Sequence, residues 1–165
     1  MQSIGGRMNL VVFPNRVHTH RQTFLTDYRH QFIDVTDIAV EQLERTQFGF
    51  GSLVVFSQHT TAGVIINEHE PLLLGDLRRC LDEFASPNRY YAHDDLTQRT
   101  VNLVENEPAN GHSHCQQLAV GCSLTVPILD GKLGLGQWQR IFLLELDSPR
   151  ERKVLFHYQE LFRPE

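Results

Sequence analysis

The sequence has no uninterrupted apolar run of ~18 residues, which is the length that a membrane-crossing helix requires. Its opening stretch, MQSIGGRMNLVVFP, lacks the long apolar segment of a secretory signal peptide. Positive charge is not in surplus either, since 15 Lys and Arg stand against 20 Asp and Glu, for a net charge of −5. We therefore expect a cytoplasmic protein without general affinity for nucleic acid or anionic membranes.

Cysteine is scarce, and the common nucleotide-binding loops are missing. Cys80, Cys115 and Cys122 are odd in number and have no CxxC spacing, which favours reduced thiols over a disulfide framework or a cysteine-rich zinc motif. Neither GxGxxG nor GxxxxGK[ST] occurs, so the usual nucleotide-binding motifs are excluded. With 165 residues the chain is long enough to bury a core without disulfides, and we expect a single domain over 1–165.

Runs of β-branched and aromatic residues are the dominant pattern of the sequence. They predict seven strands. These strands lie at 9–13, 31–35, 52–58, 63–68, 123–129, 140–146 and 153–159.

Two segments between the strands have helical spacing. The first, 36–46, places apolar residues on one face, with Asp34 or Thr36 as its N-cap. The second begins at Pro71, carries apolar residues at helical spacing, and ends at the Ser86-Pro87 dipeptide. Strands at both ends with helices between them predict an α+β fold of largely antiparallel sheets with two main helices.

A first polar cluster follows two predicted strands. In QHTTAGVIINEHEP, residues 58–71, one strand delivers Gln58 and His59 to a turn, and the next strand ends at Asn67 and Glu68. Polar side chains directly after buried strands lie at a sheet edge, where a rigid scaffold can position a functional site. A turn held together by its own hydrogen bonds would explain the same pattern.

A second cluster is RYYAHDD, residues 89–95. His93 followed by Asp94 offers a metal ligand or base with a carboxylate close by, a pairing that fixes the tautomer of an imidazole. The alternative is the start of a surface helix capped by Asp94 or Asp95.

A third cluster, GHSHCQQ, holds two histidines after an Asn-Gly turn. If HCQQLAV (114–120) is a strand and the extension begins at His112, both His112 and His114 project to one face. His114 begins that strand, whereas His112 lies against the turn and is the weaker candidate. Three imidazoles from separate segments, His59, His93 and His114, are the smallest protein ligand set for a catalytic zinc. Surface positions for all three remain the alternative.

The remaining histidines fit ordinary positions on the surface or in hairpins. They are His18, His20, His30, His69 and His157.

The segment from 123 to 153 contains side chains that could bind an anion. It predicts a tight turn at Asp130-Gly131 and a long final hairpin. Trp138 either lines a pocket or fills a core. Arg150, Arg152 and Lys153 either bind a phosphate or form a solvated turn.

Four motifs, in order along the chain, resemble those of the YjbQ-like proteins, a family described as secondary thiamine-phosphate synthases. They are QHTTAGVIINE followed by Pro71 and Asp76, then YYAHDD, then GHSHCQQLAVG, then the Gly- and Trp-containing stretch from Ser123 to Ile141. The resemblance covers about residues 30–156. One departure is Gln137, where relatives carry Thr, Ser or Asp.

The resemblance implies a compact α+β fold, a homotrimer, and a divalent metal, zinc in character. His59, His93 and His114 match the histidines of three motifs and are the implied ligands. The implied activity joins hydroxymethylpyrimidine diphosphate to thiazole phosphate and releases diphosphate, a reaction that needs stabilisation of negative charge on the leaving group.

Three hypotheses about function remain open. Diphosphate chemistry usually employs Mg²⁺ with oxygen ligands, whereas three imidazoles suit zinc, so metal-dependent hydrolysis of a small molecule is the first alternative to the synthase. A non-catalytic trimer that binds metal or ligand is the second. For an enzyme, we predict Glu68 and Asp76 as base or orienting groups. Substrate contacts are predicted for Gln58, Asn67, Trp138, Arg150 and Arg152.

Overall fold

A computed structural model describes residues 16–162, so the predicted strand at 9–13 lies outside the described residues. Eight strands, three α-helices and one 3₁₀ turn follow one another in this range. The strands are β1 (Val17–Leu25), β2 (Phe32–Asp34), β3 (Phe50–Ser57), β4 (Ala62–Asn67), β5 (Ser123–Leu129), β6 (Lys132–Leu133), β7 (Arg140–Glu145) and β8 (Glu151–Phe162). The helices are α1 (Thr36–Thr46), α2 (Pro71–Phe84) and α3 (Gly111–Val120), and the 3₁₀ turn is Ala92–Asp94.

The described strands form two sheets whose pairings are all antiparallel, as the sequence predicts. One sheet has five strands in the order β1-β8-β3-β5-β6, and the other has three in the order β2-β7-β4. A tight turn at Asp130 and Gly131 joins β5 to β6, and both residues have positive φ, 50° and 74°, as a two-residue hairpin requires.

Strand β7 lies at the centre of the packing because both of its faces are covered. On one face Ile141 and Leu143 join the main apolar cluster, which also takes in residues of α1 and of the five-stranded sheet. On the other face Leu144 packs with Leu81 of α2 and Leu146. A run that is apolar at every position suits a strand buried on both sides.

The predicted strand over HCQQLAV is wrong, because residues 111–120 form α3. Its buried residues include His112, Ser113 and Gln116, which share one helical face. The cap comes from elsewhere in the chain: Asp94 Oδ1 accepts hydrogen bonds from the backbone N–H of Asn110 (2.9 Å) and of Gly111 (2.8 Å). No residue directly before the helix provides this signal, so the local sequence could not show it.

The first helix has the predicted bounds but a different cap. Its N-cap is Val35, without a side-chain hydrogen bond, instead of Asp34 or Thr36. Asp34 still bonds the start of the helix, since its Oδ1 accepts from the Thr36 N–H (3.0 Å) while Arg140 Nε donates to its Oδ2 (2.7 Å). The Thr36 hydroxyl accepts from the Ile141 N–H (2.8 Å) instead.

The prediction of a surface position for His30 is also wrong. This side chain is buried, and its Nε2 lies 2.9 Å from Oε1 of Gln116. Gln116 donates through Nε2 to the carbonyls of Leu81 and Ala85, so its Oε1 faces His30 as an acceptor. Burial, opposed in part by this hydrogen bond and assisted by the charge of Arg29, lowers the pKa of His30 below its ordinary 6.5.

This lowered pKa predicts a loss of stability in acid. Because the unfolded chain binds a proton at His30 more readily than the folded protein does, the contribution of His30 is complete above pH 6.5 and is lost as the pH falls below that value. We expect urea unfolding of the wild type to show a steeper decline from pH 7.5 to 5.5 than that of His30→Asn. Asn suits the left-handed backbone at this position, where φ is 59°. Parallel curves would contradict the assignment.

No helix within residues 16–162 combines the length and apolar composition needed to span a bilayer.

Candidate functional site

A pocket of about 900 Å³ opens where several chain segments meet. Its walls come from the turn after β3, the 3₁₀ turn, the loop before α3, the first turn of α3 and the start of β8. Of the predicted site residues, the ones that line it are Gln58, His59, His93, His114, Arg150 and Arg152.

His93 and His114 lie edge to face, with ring centroids 4.6 Å apart. The Asp94 carboxylate creates this approach, since it follows His93 on the 3₁₀ turn and binds the backbone N–H groups at the start of α3. A side chain at Gly111 would prevent it, because a Cβ there would lie 2.5 Å from Cβ of Tyr91. Asp94 and Gly111 therefore position the two imidazoles.

The loop before α3 places a cation beside His93. Arg99 donates to Nε2 of His93 (3.2 Å) and forms a salt bridge with Glu107 (2.8 Å). Burial is the main reason that the pKa of His114 lies below its ordinary value, and the adjacent His93 adds to the effect. The neutral form of His114, which can accept a proton or bind a metal, is thus favoured.

His59 is tied to β8 from the end of β3. Its Nε2 accepts a hydrogen bond from the backbone N–H of Lys153 at 2.6 Å, so the neutral ring carries its proton on Nδ1. Burial and then the charge of Arg152 lower the pKa of His59. His59 therefore faces the pocket as a neutral group at neutral pH.

Arg152 is turned toward the protein interior. Its Nε donates to Oε2 of Glu145 at 2.7 Å and its Nη2 donates to Oε1 of the same carboxylate, which makes the pair bidentate. Nη2 also contacts the carbonyl and hydroxyl of Thr61, at 3.2 and 3.1 Å. Arg152 is 2% exposed and Glu145 0%. The guanidinium thus holds the Thr61 turn at the pocket wall, with Nε and Nη2 already donating to protein groups.

Arg150 and Asn110 meet at Asp147. One oxygen of Asp147, Oδ2, lies 2.7 Å from Nη2 of Arg150 and accepts a hydrogen bond from Nδ2 of Asn110 at 3.1 Å. Asn110 is 4% exposed, yet its Oδ1 has no hydrogen-bond partner among residues 16–162.

Four predicted site residues do not line this pocket. Asn67 is the last residue of β4 and Glu68 follows it. Both lie at the opposite end of this strand from Thr61, and the strand spans about 17 Å. Asp76 lies on the exposed side of α2, paired with Arg79, and Trp138 is 65% exposed in the loop before β7. The structure does not bring these residues to the histidines.

Arg99, Glu107 and Asn110 line the pocket but were not predicted from the sequence. They belong to the segment 95–110, which has neither helical nor strand periodicity. The Asn-Gly dipeptide was visible, but it indicated only a turn.

The three imidazoles fit zinc in their chemistry, because burial keeps His59 and His114 in the neutral form that a metal binds. The positions fit less well. Across the part of the chain that the structure describes, no three side chains of His, Cys, Asp or Glu lie close enough together to hold an ion. In this conformation Nε2 of His59 and Nε2 of His93 already accept from Lys153 and Arg99. His93 and His114 are the pair best placed to begin a metal site.

Comparison with known proteins gives matches along nearly the whole chain. A family model described as UPF0047 protein YjbQ-like matches residues 20–161. A UPF0047 protein of Methanothermobacter thermautotrophicus is 36% identical over 138 residues, which are 84% of this chain and 89% of the relative. A UPF0047 protein of Archaeoglobus fulgidus is 36% identical over 134 residues, which are 81% of this chain and 94% of the relative.

Solved structures are similar as well. A YbjQ-like protein of unknown function from Sulfolobus solfataricus has a TM-score of 0.78 and 31% identity, covering 88% of this chain and 99% of that chain. A hypothetical protein from Aeropyrum pernix has a TM-score of 0.75 and 36% identity, covering 86% of this chain and 97% of that chain. The range matched by the family model includes every residue that lines the pocket.

Proposed function

This protein belongs to the UPF0047 family of YjbQ-like proteins, and from that premise we propose that it is a cytoplasmic, metal-binding enzyme that acts on small phosphorylated molecules as a homotrimer. The observation that carries the proposal is the edge-to-face approach of His93 and His114 in a pocket that His59 also lines. Imidazoles from three separate segments, two of them with a lowered pKa, are suited to accept protons or bind a metal near neutral pH.

The proposed cofactor is a divalent metal, zinc, with His93 and His114 as ligands and His59 as the third. Bound there, it would supply a Lewis acid that polarises a substrate oxygen. The chain's own contribution is to hold the imidazoles in place. Asp94 fixes the His93 turn against α3. To bind the metal through Nε2, His59 would have to release the Lys153 N–H that this nitrogen accepts in the present conformation.

The proposed reaction is the synthase activity that the family resemblance implies, in which hydroxymethylpyrimidine diphosphate and thiazole phosphate give thiamine phosphate and diphosphate. Gln58 and Arg150 line the pocket and are the proposed substrate contacts in the same subunit. Any contribution from Asn67, Glu68, Asp76 or Trp138 would have to come from a neighbouring subunit of the proposed homotrimer.

A specific observation favours hydrolysis of a phosphate ester as the second candidate. Each arginine at the pocket is paired with a carboxylate: Arg99 with Glu107, Arg150 with Asp147, and Arg152 with Glu145. Carboxylates therefore balance most of the arginine charge at the pocket, which leaves less of it to stabilise a departing diphosphate than a single phosphate group. Neutral imidazoles, by contrast, can serve as the base that activates water.

The metal assignment predicts the zinc content of variants. Purified wild type is expected to hold about one zinc per chain, and His93→Ala and His114→Ala are expected to lose most of it, because each removes one of the two imidazoles at the core of the proposed site. His157→Ala is the matched control, since this histidine lies on β8 and contacts Thr19 (2.7 Å), away from the pocket. Elemental analysis makes the measurement, and full zinc content in His114→Ala would contradict the assignment.

Complementation tests the reaction. Expression in a thiamine-requiring bacterium that lacks its normal synthase is expected to restore growth, and the His114→Ala variant is expected not to. Failure of the wild type, with zinc still bound, would remove the synthase and leave the hydrolase, which assays with phosphate esters would then test. Inactivity in both assays would leave a binding protein. Light scattering that gives the mass of one chain would remove the homotrimer.

A further inference from the structure

Asn110 places a buried hydrogen-bond acceptor in the pocket wall. The side chain is 4% exposed, and its Oδ1 has no partner among the described residues. The partner of Asn110 determines the orientation of its amide. Asp147 is a carboxylate, which accepts hydrogen bonds, so the amide nitrogen must face it. The carbonyl oxygen is consequently the group left over. Buried polar atoms are nearly always paired, so one that is not indicates a missing partner.

Arg150 lies beside this acceptor and supplies donors. It shares Oδ2 of Asp147 with Asn110, and the same Nη2 atom lies 2.6 Å from the hydroxyl of Ser148. Nε and Nη1 of Arg150 donate to no residue of the described chain, and the side chain is 35% exposed toward the pocket. An anion can therefore bind Arg150 without breaking its contact with Asp147.

We propose that Asn110 is a recognition residue, whose Oδ1 accepts a hydrogen bond from a hydroxyl or amino group of a ligand with a phosphate bound by Arg150. The inference rests on the proposed function, because it takes the pocket as the substrate site. It adds a substrate class to that function: a phosphate monoester that carries an O–H or N–H donor a few bonds from the phosphorus. Asp147 orients both protein groups toward this one ligand.

Selectivity follows from the burial of Oδ1. The acceptor is closed to water and unpaired in the free protein, so a ligand that carries the donor gains a hydrogen bond there that a ligand without it cannot make, and it binds more tightly. The same pocket without the acceptor would not distinguish the two ligands.

Two phosphate esters that differ by one hydroxyl test this inference. We would measure the affinity of the full-length protein for 3-hydroxypropyl phosphate and for propyl phosphate by calorimetry. The wild type is expected to bind the hydroxylated ester about tenfold more tightly. In Asn110→Leu this preference is expected to vanish, while the affinity for propyl phosphate stays within about twofold. Asn110→Ala, which is smaller and has no acceptor, gives the same answer if the leucine variant does not fold.

Gln98→Leu is the matched control, because this amide also lines the pocket but already donates to Tyr90 (2.9 Å) and to Asp95 (2.6 Å). It is expected to keep the preference. Equal binding of the two esters by the wild type, or a preference that persists in both Asn110 variants, would overturn this inference alone. Binding of neither ester would overturn it together with the phosphorylated substrate of the proposed function.

Discussion

Replacing Arg152 with methionine is expected to lower the free energy of unfolding by about 3–5 kcal/mol. The substitution leaves the carboxylate of Glu145, which is 0% exposed, without its cation. Its remaining partners are the Thr26 hydroxyl at 2.8 Å and the Asp147 N–H at 2.9 Å, which are neutral donors. Burying a charge with only neutral partners is far costlier than burying a paired one. Urea unfolding followed by circular dichroism measures the loss.

Two further variants distinguish the effect of losing the ion pair on stability from the effect of changing the side chain. Arg21→Met removes an exposed arginine from the same five-stranded sheet and is expected to change stability by less than about 0.5 kcal/mol. The double variant Arg152→Met with Glu145→Leu is expected to recover much of the loss, since an apolar pair can replace a buried ion pair. A double variant no more stable than Arg152→Met would show that the arginine stabilises the fold mainly through Thr61.

The same ion pair shows why the role of Arg152 could not be predicted from the sequence. The charged turn at 150–153 indicated either a phosphate contact or a solvated surface, because both place charge after a strand. What decides the position is the pairing of β4 with β7, which sets Glu145 opposite Ala62, next to Thr61. That register depends on the whole sheet and is invisible in a local window.

Strands and helices with strong local patterns were predictable. The predicted helix 36–46 matches α1, the predicted strand 123–129 matches β5, and Pro71 begins α2. In each case the apolar spacing and the terminal residues agree with the fold. These elements build the main core, whose composition of β-branched and aromatic residues is already visible in the sequence.

The elements that were not predicted have sequence patterns that are weak or depend on residues far away in the chain. Strand β1, VHTHRQTFL, pairs only with β8, at the edge of the five-stranded sheet, and its alternating exposure leaves room for histidine, threonine and arginine. Helix α3 receives its cap from Asp94, which lies 17 positions before Gly111 in the sequence. Both depend on tertiary partners, so composition alone favoured a polar segment and a strand.

The residues of the candidate site also fall into a group that the sequence identifies and a group that it does not. His59, His93 and His114 could be selected because imidazoles after strands and turns are uncommon and chemically distinctive. Asn110 and Arg99 could not be selected, because the role of each depends on the hydrogen-bond partner that the fold gives it. A shared oxygen of Asp147 gives Asn110 its orientation, and the ring of His93 receives Arg99. The sequence thus indicates the chemistry, and the loop before α3 determines its arrangement.

Gly111→Ala is expected to damage the site, because the added methyl group separates the two histidines. The added Cβ would lie 2.5 Å from Cβ and 2.8 Å from Cγ of Tyr91, closer than real side chains approach. Relief requires the Tyr91–Asp94 segment to move away from α3, which carries His93 away from His114. For the proposed zinc site, we expect the affinity, measured by competition with a chelator, to fall by about 10–100-fold. Stability should fall by about 1–3 kcal/mol through overpacking.

Gly75→Ala provides the matched control for this substitution. It adds the same methyl group inside α2, where the nearest atom is 3.9 Å away, in the flexible side chain of Arg79. Because alanine favours a helix interior over glycine, this variant is expected to gain about 0.5–1 kcal/mol and to keep its zinc affinity. Equal zinc affinity in the two variants, with Gly111→Ala folded, would show that the approach of His93 to His114 is not what binds the metal. Restoration of zinc affinity in Gly111→Ala by a second substitution, Tyr91→Gly, would show that it is, since this change removes both clashing atoms of Tyr91, Cβ and Cγ.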